Sequence, residues 1–166
     1  MTVYFLLLAA AIGGDQLLKW WIVTHLEEGQ TLPFLPGLIQ LNHYHNTGAA
    51  WNSLSGKISF LVIFTAILMV WVVWLVVRYK VRHPMGLSGA ALVLGGGIGN
   101  MIDRICRGYV VDMFDLVFMD YPIFNLADCF VVIGCILGGI YYMWIHDDGK
   151  KKKKEQHHEG ETDGQQ

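Results

Sequence analysis

Residues 58–77 read ISFLVIFTAILMVWVVWLVV, twenty positions without a charge. A helix needs about that many residues to cross a hydrocarbon core of about 30 Å, so this run decides the class of fold. Outward from it, residues 3–23 and 127–145 are apolar runs of similar length, and residues 85–102 form a shorter, glycine-rich one. The 166-residue chain is 54% hydrophobic and only 16% charged, with a mean hydropathy of +0.40. A soluble domain of this size carries far more polar surface. The expected fold is an all-α integral membrane protein with four transmembrane helices within residues 1–146. Residues 147–166 are polar and poor in aromatics, the composition of a disordered tail.

Basic residues set the expected orientation. Arg78-Tyr79-Lys80-Val81-Arg82-His83 joins spans two and three, and lysines fill positions 150–154. The positive-inside rule places both in the cytoplasm, with both termini. Stretches 25–57 and 104–123 then face outward and hold only Lys57 and Arg107 beyond Arg104. The lysine run suits anionic lipid better than nucleic acid, and His157-His158 is too short to argue for a metal. Span one lacks a basic leader region and carries Asp15 and Lys19 inside its apolar run, so a retained helix is expected rather than a cleaved signal. Cys106, Cys129 and Cys135 show no metal-ligand spacing, and their odd number argues against a disulfide framework; packing is their expected role. Trp20, Trp21, Trp51 and Trp144 suit interfacial belts.

Against this apolar background stand Asp15, Asp103, Asp112, Asp115 and Asp128. A carboxylate at membrane depth is costly to desolvate and usually faces a protein interior or a watery cavity. The topology gathers these groups near the outer interface. Asp15 and Lys19 share one face of span one, Asn100 to Arg104 end span three, and Asn125 and Asp128 occupy the first turn of span four. Each also has a structural reading. Asp15 and Lys19 can form an intrahelical ion pair, and Asp103 and Arg104 a salt bridge closing span three. Asn125 followed by Asp128 reads as a helix cap with an acidic third residue. Gly95-Gly96-Gly97-Ile98-Gly99 allows close helix packing and lacks the strand and lysine of a phosphate loop. A proton-coupled transporter is the alternative of another class, although transporters place ionisable groups near the midplane and within repeats. A non-catalytic membrane scaffold is a third reading.

Four motifs occur in order among these spans: Asn46-Thr47-Gly48-Ala49-Ala50-Trp51, Gly99-Asn100-Met101-Ile102-Asp103-Arg104, Val110-Val111-Asp112 and Phe124-Asn125-Leu126-Ala127-Asp128. With Asp15 and Lys19 in span one, the array resembles the bacterial lipoprotein signal peptidase family (signal peptidase II) from about residue 15 to residue 132. Met113 departs from it, standing where the family often has phenylalanine. The resemblance implies an intramembrane aspartyl endopeptidase of the bacterial inner membrane. Such enzymes remove the signal peptide of a prolipoprotein just before a diacylglyceryl-modified cysteine, and globomycin inhibits them. It further implies that Asp112 and Asp128 are the catalytic pair and that Asn100, Arg104 and Asn125 line the substrate pocket. Asn46 and Gly48 match an outer segment that cradles the substrate, part of a small extracytoplasmic platform with room for β structure. Asp15 matches a polar residue of structural role, the role also expected of Lys19 and Asp103. The expected partners are the prolipoprotein and membrane lipid, with no nucleic acid, no metal or organic cofactor, and a monomer sufficing. Elementary chemistry agrees, because two carboxylates sharing one proton can activate water and polarise a carbonyl.

Overall fold

The computed structural model describes residues 1–48, 54 and 56–146. Residues 49–51 of the first motif, the tail from 147 with its lysine run, and the Trp144 side chain lie outside that description. Among the described residues are four α-helices: α1 (Thr2–His25), α2 (Ile58–Arg78), α3 (Pro84–Cys106) and α4 (Leu126–Ile140), which runs on as a π-helical turn over Tyr141–His146. All four, with α4 taken to Met143, are long and apolar enough to cross a membrane. The third reaches four residues past the apolar run that announced it, because Asp103 and Arg104 each find a partner inside the protein, Lys19 and the Gly48 carbonyl. The protein is a multi-pass membrane protein.

Helix α3 sits at the centre, packed against α1, α2 and α4. Its glycines make this possible. A methyl group on Gly96 would run into the Ala127 carbonyl at the start of α4, and one on Gly99 would stand 2.6 Å from the Asp15 carboxylate. Helix α2 packs chiefly on α3 and is otherwise turned outward. Its Ile63, Ile67, Trp71 and Val77 are exposed, as a lipid-facing helix requires. On α1 the polarity is inverted: the residues it buries are Ala11, Asp15, Lys19 and Ile22, one stripe at helical spacing, while Phe5, Leu17 and Trp20 face outward. The protein-facing stripe of α1 thus carries its two charged residues.

The platform contains a three-stranded antiparallel sheet in the order β1 (Thr31–Leu35), β2 (Ile39–Asn46), β3 (Val110–Leu116). Leu41 and His43 alternate inward along β2 at the two-residue period of a strand. A small core joins sheet to helix, with Ile22 and Leu26 meeting Leu41, Val111 and the fully buried Met113. Strand β3 lies beside β2 with Tyr44 opposite Asp112 and Asn46 opposite Val110. On the same strand Phe114 bridges to Phe124, whose carbonyl accepts from the Met113 and Phe114 amides. The chain immediately before α4 is thereby tied alongside β3, and the two ends of a long connection are brought together.

Candidate active site

The site is built outward from the first turn of α4. Asn125 is the N-cap: its Oδ1 accepts from the Asp128 amide at 3.0 Å, and Asp128 Oδ2 accepts from the Asn125 amide at 3.2 Å. This is the capping box expected from the sequence, and its side chains also face the site. Because Oδ1 is held by the helix, Asn125 Nδ2 must point away from it. It donates to Asp112 Oδ1 at 2.6 Å and to Asn100 Oδ1 at 3.0 Å. Asn100 Nδ2 in turn donates to Asp128 Oδ1 at 2.7 Å. Asn46, at the end of β2, donates from Nδ2 to Asp112 Oδ2 at 2.8 Å and accepts from the Gly48 amide at 2.9 Å.

All four carboxylate oxygens of Asp112 and Asp128 therefore receive an N–H. Asp112 is almost fully buried on β3, whereas Asp128 is only partly so. Burial first, and the negative charge of Asp128 second, push the Asp112 carboxyl up to about 7; the bonds from Asn46 and Asn125 and the charge of Lys19 oppose that rise. A carboxyl with that value can hold or release a proton near neutral pH.

Behind the pair lies a second layer in which Asp15, Lys19 and Asp103 have no exposed surface. Lys19 Nζ reaches Asp15 Oδ2, Asp103 Oδ2 and Asn100 Oδ1, each at 2.9 Å. The intrahelical pair of Asp15 and Lys19 is present as expected. The expected pair of Asp103 with Arg104 is not. Neighbours in sequence diverge by about 100° around a helix, so Asp103 turns toward α1 and binds Lys19, with Arg107 Nε at 3.5 Å. Arg104 turns the other way. Its Nη2 donates to the Gly48 carbonyl at 3.1 Å, and its charge interacts with Asp128 and Asp112.

The structure thus brings together Asn46, Gly48, Asn100, Arg104, Asp112, Asn125 and Asp128, with Asp15, Lys19 and Asp103 as the layer beneath. Asp115 stays outside, bound by Gln40 on the neighbouring strand. Sequence reasoning missed Gln16, whose amide reaches the Asp15 and Asp103 carboxylates and the Gly99 carbonyl. A third polar residue beside Asp15 in an apolar span was the available signal. It also missed Arg107, one helical turn beyond Asp103. Packing, the role expected of the cysteines, fits only Cys129, which is half-buried; Cys106 and Cys135 are exposed.

Comparison with known proteins settles the lineage. The profile described as Signal peptidase (SPase) II matches residues 7–144. The chain is 43% identical over 141 residues to the lipoprotein signal peptidase of Enterococcus faecalis, covering 85% of this chain and 88% of that one. It belongs to the signal peptidase II family. To the lipoprotein signal peptidase of Bacillus velezensis it is 38% identical over 150 residues, 89% of this chain and 96% of the relative. A solved structure described as a bacterial membrane enzyme, determined by the in meso method at 2.3 Å resolution, superposes with a TM-score of 0.82 at 32% identity, covering 91% of this chain and 92% of that one. The four spans and the small sheet are therefore arranged in this chain as in a solved membrane enzyme.

Proposed function

We propose that this chain is an intramembrane aspartyl endopeptidase that cleaves diacylglyceryl-modified prolipoproteins just before the lipidated cysteine, with Asp112 and Asp128 as its catalytic pair. Membership of the signal peptidase II family supports removal of signal peptides from lipoproteins. One observation carries the assignment of the pair: Asn125 bonds the carboxyl of each, by its side chain to Asp112 and by its amide to Asp128. Burial and the charge of Asp128 both raise the Asp112 carboxyl, so that group can hold the proton the chemistry needs. The ionised member takes a proton from water as that water attacks the scissile carbonyl. The protonated member gives its proton to the carbonyl oxygen, and the leaving nitrogen then receives one as the tetrahedral species collapses. The step needs neither metal nor organic cofactor.

The substrate explains the location. Its signal helix and the acyl chains on its cysteine both partition into a bilayer, so a pair near the outer interface meets the bond laterally and still reaches water. Asn46, Gly48 and Arg104 sit where the platform meets the pair and are read as substrate contacts, with Asn100 and Asn125 as pocket lining. The basic α2–α3 connection and the lysines at 150–154 support cytoplasmic termini in a bacterial inner membrane, with residues 147–166 as a tail outside the peptidase domain. A globomycin-type cyclic peptide is expected to compete at the site, and nothing in the mechanism requires more than a monomer. The test is purified protein in detergent with a lipidated prolipoprotein. Cleavage without added energy is expected from the native chain and not from Asp112→Asn or Asp128→Asn. A native chain that leaves the substrate intact overturns the reading.

A further inference from the structure

Two backbone contacts share a pattern. Asp15 Oδ1 accepts from the amide of Ala127, the residue immediately before Asp128, at 3.0 Å. Asp103 Oδ2 accepts from the amide of Val111, the residue immediately before Asp112, at 3.2 Å. Each member of the proposed pair is thus held from behind by a buried aspartate on a different helix. Those two aspartates are joined by Lys19, which also binds Asn100, the donor to Asp128. An ammonium has three N–H groups and no acceptor, and here all three are spent on these partners. The amide of Asn100 must then present Oδ1 to Lys19 and Nδ2 to Asp128.

We propose that Lys19 is a positioning residue for the peptidase reaction, a yoke between Asp15 and Asp103 that sets the spacing and orientation of Asp112 and Asp128 through the amides next to them. The proposal rests on the reading of those two residues as the catalytic pair. Nothing else in the described structure joins the Ala127 and Val111 holders through one group so directly; Gln16 spans them too, but its amide is neutral and one of its contacts is 3.4 Å long. A salt bridge placed only to lower the cost of inserting α1 needs one carboxylate, not two from different helices plus an amide of the site. Lys19 also acts by charge. The charged groups that bear on Asp112 are Asp128, Lys19 and Arg104, so neutralising Lys19 removes one of the influences that favour ionised Asp112.

The test uses the full-length chain in detergent with lipidated prolipoprotein, and expresses rates per folded molecule from thermal unfolding of the same samples. Lys19→Gln is one atom shorter than lysine and keeps two N–H groups without charge. The expected result is a kcat lower on the order of tenfold to a hundredfold, as for displaced catalytic groups, with KM little changed. The fall in rate at high pH should move to still higher pH. Since Lys19→Gln leaves two buried carboxylates short of charge, a second variant guards against misfolding. Asp15→Asn with Lys19→Met removes one charge of each sign, leaves Asp103 with Arg107, and keeps an amide oxygen for the Ala127 N–H. It too should be folded and slow. Native kcat and pH profile per folded molecule in either variant overturn the proposal, as does loss of activity that only tracks the folded fraction or failure of both variants to fold. Absence of cleavage by the unsubstituted chain is a separate result, and counts against the peptidase reading instead.

Discussion

Asn125 donates to Asp112 across 2.6 Å with the same amide whose oxygen caps α4 by accepting from Asp128. A helix start and a contact to the proposed catalytic pair are therefore one residue, and the two can be separated by substitution. Asn125→Ser retains a capping oxygen but has no second donor. Asn125→Ala loses both and should cost about 1 kcal/mol more in stability. The expected outcome is near-native thermal stability for Asn125→Ser with cleavage strongly reduced, and Asn125→Ala both less stable and inactive. An active Asn125→Ser would mean that the Asp112 contact is dispensable.

The pair itself makes a second prediction against its nearest look-alike. Asp103 is acidic, buried and part of a motif, but its oxygens are occupied by Lys19, Arg107, Gln16 and the Val111 amide. Asp112→Asn and Asp128→Asn should each lower kcat by about 10²–10⁴-fold in protein that still folds. Asp103→Asn should leave measurable turnover, or lose it together with folded protein. A stable but dead Asp103→Asn beside an active Asp112→Asn would move the pair to Asp103 and Asp128.

How much of this could be read from the chain depends on the range of each interaction. The four spans follow from apolar length, since a backbone in lipid must satisfy its own hydrogen bonds. The Asn125–Asp128 cap is equally local, and the alternation of the four spans was enough to expect the remaining polar groups at one end of them. Contacts such as Asp15 with the Ala127 amide, 112 residues apart, leave no periodic trace. The pairing of β2 with β3 is likewise non-local, and the platform could be expected without its register. Adjacency misled in one place: Asp103 and Arg104 look like a pair in sequence, and helix geometry sends them to different faces.

pH offers a third prediction. Burial and Asp128 raise the Asp112 carboxyl from its ordinary value to about 7. For a group raised on folding, the stabilisation is fully present below its unfolded value and is lost as pH rises through the folded one. Both rate and stability should therefore fall on passing from about pH 6 to pH 8, the rate because the shared proton leaves. Asp112→Asn, which cannot ionise, should flatten the stability profile over that window. A native chain equally active and equally stable at both pH values would contradict the assignment of a raised carboxyl.

The close approach of α3 to α1 makes a fourth. A methyl group at Gly99 would lie 2.6 Å from Asp15 Oδ2, and Asp15 is fixed by Lys19 and the Ala127 amide. Neither helix can give way without loosening the layer beneath the pair. Gly99→Ala should lower the thermal midpoint and the folded yield, with a loss of about 1–3 kcal/mol typical of overpacking. Gly13→Ala, where the added carbon meets nothing within 4 Å beyond its chain neighbours and the backbone of its own helix, is the control and should not destabilise, since alanine is the better helix former. Equal stability of the two variants would show that the contact can relax.

The last prediction lies at the opposite end of the molecule, where α2 stops. Tyr79 is its C-cap, the Lys80 amide bonds the Val77 carbonyl, and the Val81 amide reaches back to Val76. These are the two bonds of a Schellman ending, which calls for a left-handed residue at the position of Lys80. Lys80 supplies it with φ of 48°, a conformation that costs a residue with a Cβ roughly 1–2 kcal/mol. Lys80→Gly removes that cost and gives part of it back through the entropy of a freer unfolded chain. A net gain of about 0.5–1 kcal/mol should remain, seen as a higher thermal midpoint, with cleavage unchanged because the site is at the far end of the helices. Lys80→Ala removes the same charge and keeps the strain, so it should gain nothing. If the glycine variant is no more stable than the alanine variant, the left-handed turn is not where α2 stores strain.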